Sequence, residues 1–355
     1  MRERTEGSPE LHHRPRMPAL SAPRLLVLSF LGLVGLGTLG FAFVPGLAHE
    51  GTLSLVDALF MATSAVCVTG LTVVDVSSEL TWAGQAWLLL LIQAGALGIL
   101  TFAGAVAGIA GGRASLHVEE ALAGPAAMIP HSDPRRLVRL TVTGTLLTEA
   151  VGAVVLWLLF RQDHGDLGAV WVAVFHAVSA FCNAGFSLFP DSLVAYRERV
   201  PLLAVFGTLI VMGGLGFPVL EELRMRLTGV RPRLCVHSRL VLGATAVLLA
   251  GGTALYLSFE GTRTLGPLGL VDKTSNALFM AVTARTAGFH TVDYDALSNA
   301  SVLLTLALMW IGGAPASVAG GVKVTTVALV LLLLVSRLRG DDAVSAGGRS
   351  IPRET

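Results

Sequence analysis

The chain is poor in charge. Only 14% of its 355 residues are Asp, Glu, Lys or Arg, where a soluble domain carries about 25%. With a net charge of +1 there is no basic excess to suit nucleic acid, and none is expected as a partner. Cysteine is scarce as well: Cys67, Cys182 and Cys235 stand singly, with no C-x-x-C pair and no Cys/His cluster. That spacing excludes a zinc site and a disulfide framework, and each thiol reads as a small apolar residue. H-E-x-x-H, G-x-S-x-G, a P-loop and paired membrane aspartates are all missing, so the chain is read as no enzyme, with no cofactor of its own. Gly35-Leu-Gly37-Thr-Leu-Gly40 fits G-x-G-x-x-G, but it lies inside an apolar run with no strand before it and is no dinucleotide site.

What is present is hydrophobic: 53% of residues, with a mean hydropathy of +0.72. About 20 apolar residues cross a bilayer as a helix. Six segments reach that length, roughly 25–44, 85–111, 137–160, 201–220, 239–258 and 302–336. The first follows a polar, basic stretch, but it is too long for a signal-peptide core and has no clear cleavage site, so it reads as a membrane helix. Three shorter apolar stretches, near 54–69, 169–185 and 274–288, cannot span. They must dip in and return, or lie buried in protein.

The order long, short, long therefore occurs three times, an internal repeat. The short segments align as FMATSAVCVTGL from Phe60, FHAVSAFCNAGF from Phe175 and FMAVTARTAGF from Phe279. Each starts with Phe, has Ser or Thr near its middle and ends in Gly followed by Leu or Phe. Asp75, Asp191 and Asp293 follow, read equally as turn residues and as charges that gather cations. The predicted divisions are a tail at 1–23, repeats at 24–112, 137–225 and 239–337, linkers at 113–136 and 226–238, and a tail at 338–355. Most of the 25 Lys and Arg fall in the tails and linkers, while Arg161, Arg197, Arg199, Arg263 and Lys273 lie on the other side. Both termini are thus expected in the cytoplasm, with the short segments entering from outside.

A helix that stops midway in the membrane leaves unpaired carbonyls and the negative end of its dipole there, which suits a cation. A following segment ending in glycine can aim further carbonyls at an ion. This makes Cys67, Val68, Thr69 and Gly70 the predicted filter residues of the first repeat. Cys182, Asn183, Ala184 and Gly185 play that part in the second, and Arg285, Thr286, Ala287 and Gly288 in the third. The cation is expected to be held by backbone carbonyls only. Close helix packing is the rival account of membrane glycines, as at Gly104 and Gly108, but it does not predict recurrence after three short segments. Arg285 is expected to point away from the axis. Glu149, a lone carboxylate in a spanning segment, is expected to pair behind the pore with Lys323 or Arg285. His176 reads as a satisfied interior histidine.

VTGLTVVD, SAFCNAGFSLF, TARTAGFHTVD, LLLIQAGALGILTFAG, VMGGLGFPVLEEL and MWIGGAPASVAGGVKVTT resemble segments of the Trk/Ktr/HKT potassium transporters, from about residue 24 to the end. The resemblance implies an all-α membrane protein whose helix–pore-loop–helix repeats surround a pseudo-fourfold axis. It also implies potassium uptake, passive or sodium-coupled; glycine in the first repeat, where sodium-selective relatives carry serine, favours potassium. The glycine-rich run 312–321 becomes an intramembrane gate loop, with Gly312, Gly313, Ala316, Ser317, Gly320 and Gly321 in it and Lys323 beside it as an electrostatic bar. Further implications are a homodimer in the cytoplasmic membrane and a ring of soluble, nucleotide-binding regulatory subunits docked on the Arg-rich linkers. The family has four repeats and this sequence has three, so a truncated chain is expected. The alternative reading is a non-conducting relic or regulatory membrane chain.

Overall fold

Helices form where the apolar runs lie, and glycine or proline decides where they break. The computed structural model describes residues 22–110, 134–230, 233–339, 344–346 and 349–351. The predicted tail up to residue 21, the linker positions 113–133 and parts of the C-terminal tail lie outside the described residues.

The first unit comprises α1 (Ala22–Phe43), the short α2 (Leu55–Val66) and α3 (Trp82–Ala110). Ser54 caps α2, its hydroxyl accepting from the Asp57 amide at 3.2 Å. The second unit begins with α4 (Pro134–Phe181), a single helical run broken at Gly165, whose φ of 68° and ψ of 166° are non-helical. The sequence predicts a connecting loop between 160 and 169; one glycine makes the reversal instead, since φ above zero costs it little. A 3₁₀ turn (Val194–Tyr196), α5 (Val200–Leu215) and α6 (Phe217–Leu227) follow. The expected span 201–220 is not straight: α5 and α6 meet at 107° across Gly216.

The third unit has α7 (Val236–Glu260), the short α8 (Leu270–Thr283), α9 (Asn299–Trp310) and α10 (Val324–Arg339). The expected span 302–336 is two helices separated by irregular backbone. Strands β1 (Val344–Ala346) and β2 (Arg349–Ile351) pair antiparallel in the tail, an addition to an otherwise helical fold.

Among the described residues three helical runs are long and apolar enough to cross a membrane: Trp82–Leu100, Val138–Phe181 with its kink at Gly165, and Val236–Glu260. The bent α5–α6 pair adds a fourth. The sequence reading of six also counts 302–336, which is divided between the short α9 and α10, and 25–44, where the described apolar helix runs over Val27–Phe43.

In the first and third units the first long helix packs on its own short helix, and in the second α4 packs on α5; α3 then packs on α4, and α5 on α8. The units are thereby joined in chain order. The largest core cluster sits at these joints, with Phe160, Phe175, Phe186, Phe206 and Phe289 all at most 1% exposed. Outward residues such as Leu146, Leu147, Val151 and Val154 of α4 stay exposed. In lipid they have no reason to be buried, and packing contacts rather than apolar transfer hold the helices together.

Candidate functional site

Each short helix ends in an abrupt reversal. In the first loop Val68 has φ 55° and Gly70 φ 80°; in the second, Asn183 has 55° and Gly185 72°; in the third, Thr286 has 69° and Gly288 86°. Positive φ thus falls two residues apart in all three loops. Asparagine tolerates this region, but Val68 and Thr286 are β-branched, and such strain costs about 1–3 kcal/mol per residue.

Hydrogen bonds hold the first two reversals in place. The Val68 amide donates to the Ala65 carbonyl at 3.1 Å and the Thr69 amide to the Ser64 carbonyl at 2.8 Å. Asn183 and Ala184 repeat this on Ala180 and Ser179, at 3.1 and 2.8 Å. This is a helix-ending motif normally closed by glycine. The third loop is one residue shorter, and there the Ala287 amide donates to the Thr283 carbonyl at 3.0 Å.

The glycines show how the loops meet. A methyl group built on Gly70 would lie 2.2 Å from the Ala184 carbonyl oxygen, and one on Gly185 2.7 Å from that of Ala287. On Gly288 its nearest neighbour would be the Gly185 Cα, at 3.1 Å. Loop 1 therefore lies against loop 2, and loop 2 against loop 3. Among the described residues a methyl group on Gly288 meets only Gly185 within 4 Å. The predicted filter residues form an arc.

Hydroxyls near the C-terminal ends of the short helices secure two loop exits. Ser179 donates to the Phe186 carbonyl at 2.7 Å, and Thr283 to that of Phe289 at 2.5 Å. Ser64, the first-repeat counterpart, is buried and its hydroxyl has no partner. His176 holds the second exit: its Nδ1 faces the Val172 carbonyl at 2.8 Å and its Nε2 faces the Ser187 hydroxyl at 3.1 Å. The Leu188 amide donates to Nε2 at 3.3 Å, so Nε2 is the acceptor and the ring is neutral with its proton on Nδ1. The Asn183 amide, oriented to satisfy both its atoms, donates to the Ala180 and Ile210 carbonyls at 3.2 and 3.1 Å.

Glu149 corrects the sequence expectation. It is 4% exposed, and it meets neither Lys323 nor Arg285. Gln93 of α3 donates to it at 3.1 Å, and the Cys182 thiol points to it at 3.6 Å. A buried carboxylate needs such donors, and here they come from two repeats. Arg285 extends its guanidinium to the Thr245 hydroxyl at 3.5 Å and the Gly312 carbonyl at 3.3 Å, while its Nε is buried without a partner.

Residues 311–323 form a loop with a paired neck. The Gly312 amide donates to the Val322 carbonyl at 3.1 Å, and the Val322 amide to that of Trp310 at 2.9 Å. A methyl group on Gly312 would lie 1.6 Å from the Gly320 oxygen, so no other residue fits there. The tip rests on the α5–α6 break: the Ala314 amide donates to the Gly214 carbonyl at 2.8 Å, and the Phe217 amide to that of Ala316 at 3.2 Å. Gly313 and Ser317 are buried in this loop, Gly321 takes φ 72°, and Lys323 Nζ donates to the Ala319 carbonyl at 2.8 Å.

On the outer side, Asp75 accepts from the Ser77 amide and hydroxyl at 2.8 and 2.7 Å, and Asp293 from the Asp295 amide at 2.9 Å. Both act as turn residues. Burial pushes the Asp75 carboxyl up, but the donors from Ser77 and Ser78 outweigh it and leave it below its ordinary value. The Leu193 amide donates to the His290 carbonyl at 2.9 Å, joining the outer loops of the second and third units. Burial lowers the His290 imidazole, against the pull of Asp191 and Asp293. Among the described residues no three His, Cys, Asp or Glu side chains gather as a metal site. Sequence reasoning missed Gln93, Thr245, Gly214 and Gly216. Of these only the glycines left a signal, as a third glycine-rich stretch near a predicted helix end.

The chain as a whole is similar to known proteins. A family described as TrkH, cation transport protein, matches residues 34–351. The chain belongs to the TrkH family. It is 36% identical over 334 residues to the potassium/sodium uptake protein NtpJ of Enterococcus hirae, a match covering 94% of this chain and 73% of that protein. It is 35% identical to the Ktr system potassium uptake protein B of Bacillus subtilis, covering 93% and 74%. The crystal structure of the potassium transporter TrkH from Vibrio parahaemolyticus has the same fold, with a TM-score of 0.71 at 21% identity, over 97% of this chain and 68% of that one. The TrkH-family chain is therefore a multi-pass membrane protein of a transporter family, not an enzyme.

Proposed function

We propose that this TrkH-family chain forms the ion path of a potassium uptake system. The observation that carries the reading is the left-handed backbone two residues apart in three loops that touch through glycine. Such alternation turns successive carbonyls toward one side of a strand, where a regular extended strand would alternate them. Carbonyls so turned replace the hydration shell of a permeant cation, and the helix ends behind them add negative potential. Residues 67–70, 182–185 and 285–288 are the filter in this reading. Potassium is the permeant ion because glycine occupies the first loop and because the relatives above are named for potassium uptake.

The irregular loop at 312–321 is the gate, and Lys323 the charge beside it. Transport is passive or coupled to sodium. The arc has three walls, and in this reading another chain supplies the fourth between loop 3 and loop 1. The positive charge at Arg224, Arg226, Arg337 and Arg339, all exposed, supports a cytoplasmic side for those helix ends. That surface docks a soluble, nucleotide-binding regulatory ring, and the chain pairs as a homodimer.

The test is rubidium uptake in cells stripped of their own potassium transporters. Wild-type chain is expected to take up rubidium, and Gly288→Arg, which puts a cation in the filter, to abolish it. No uptake by wild type, despite verified membrane insertion, overturns the reading in favour of a non-conducting chain.

A further inference from the structure

The side chain of the left-handed residue differs from loop to loop. Val68 has no polar group, and Asn183 bonds within its own repeat. Thr286 bonds to the intramembrane loop, its hydroxyl accepting from the Gly320 amide at 3.0 Å. Its neighbour Arg285 donates to the Gly312 carbonyl at 3.3 Å. Gly312 and Gly320 lie on opposite sides of the loop's neck and touch each other. Two consecutive filter residues therefore grip both sides of one neck.

We infer that Arg285 and Thr286 form a latch that ties the third pore strand to the neck of the intramembrane loop, so that the loop and this strand rearrange together. The inference rests on the reading of 312–321 as a gate and adds how it communicates with the filter. The loop has two seats. Its tip lies on the α5–α6 break through backbone bonds; its neck is held to the filter by these two side chains. The neck is the weaker seat. Both hydrogen bonds of Arg285 are long, and its buried Nε has no acceptor, so the guanidinium is free to take other carbonyls when the neck shifts. At Thr286 the hydroxyl's bond to Gly320 offsets part of the cost of a left-handed β-branched residue, a help that Val68 lacks.

Both residues are positioning residues, and amide deuterium exchange on the purified full chain tests them. Thr286→Val keeps the shape and removes the acceptor. Exchange at Gly320–Val322 is expected to rise roughly tenfold, the factor carried by one hydrogen bond of about 1.4 kcal/mol, with the first and second pore loops unchanged. Thr286→Ser is expected to restore protection. Arg285→Lys, which cannot reach both Thr245 and Gly312, is expected to loosen the Gly312 amide and serves if Thr286→Val fails to fold. Unchanged exchange in the neck, or equal loosening in Thr286→Ser, overturns the latch. Rubidium uptake is read in parallel: absence of uptake in wild type defeats the transport reading, while exchange still decides the latch.

Discussion

Among the described residues the loop after the second short helix is walled by protein on both sides, and that after the first on one. Their backbones match, reversal for reversal and hydrogen bond for hydrogen bond. Phe175 of the second short helix is 0% exposed, whereas Phe60, its counterpart in the first, is 39% exposed along with Leu55, Val56 and Leu59. Cys182 is buried against Glu149 and Cys67 is exposed. Ser179 tethers its loop exit and Ser64 has no partner. The local motif thus fixes the backbone wherever it occurs, while the neighbours decide which of its polar groups are used.

The largest effects are expected at the glycines. Gly70→Ala and Gly185→Ala force a methyl group onto a neighbouring carbonyl oxygen, and rubidium uptake should vanish in both. Gly288→Ala meets only a Cα on one side and should keep partial uptake, since it carries the φ strain alone. Equal loss at all three positions would break the comparison and put a fourth wall against Gly288.

A smaller contrast lies in the hydroxyls. Ser179→Ala strands the buried Phe186 carbonyl and should cost about 1–3 kcal/mol of stability. Ser64→Ala removes a group with no partner and should stay within about 0.5 kcal/mol of wild type. Unfolding in detergent, followed by tryptophan fluorescence, measures both; a matching loss for Ser64 would show that it too holds a loop exit.

The gentlest probe leaves the chain unmutated. A membrane-permeant maleimide should label Cys67 and leave Cys182 unmodified, because the latter is 0% exposed. Protection of Cys67 in the bilayer would mean that another segment covers the first loop there.

Much of the site was legible because one backbone solution is repeated. The shared Phe, the hydroxyl and the terminal glycine marked the three short helices before any coordinates, and the glycines between 312 and 321 marked the broken helix. Other features had no local mark. Nothing near Glu149 points to Gln93, 56 positions earlier, and the sequence favoured the wrong partners, two cations. Arg285 could be expected to avoid a cation path, but not to reach Gly312. The sharp bend at Gly216 was hidden within an apolar run that satisfies a straight helix equally well.

By itself, then, the sequence determined which segments are helical and where they must stop, since apolar length and glycine act through the chain's immediate neighbours. The tertiary structure alone decided that Val68 and Thr286 sit left-handed, that Glu149 is met by donors from two repeats, and that Arg285 and Thr286 bond to the neck of the 311–323 loop. Each of these opposes a local preference or joins residues far apart in the chain, and so exists only where packing supplies the compensating bonds.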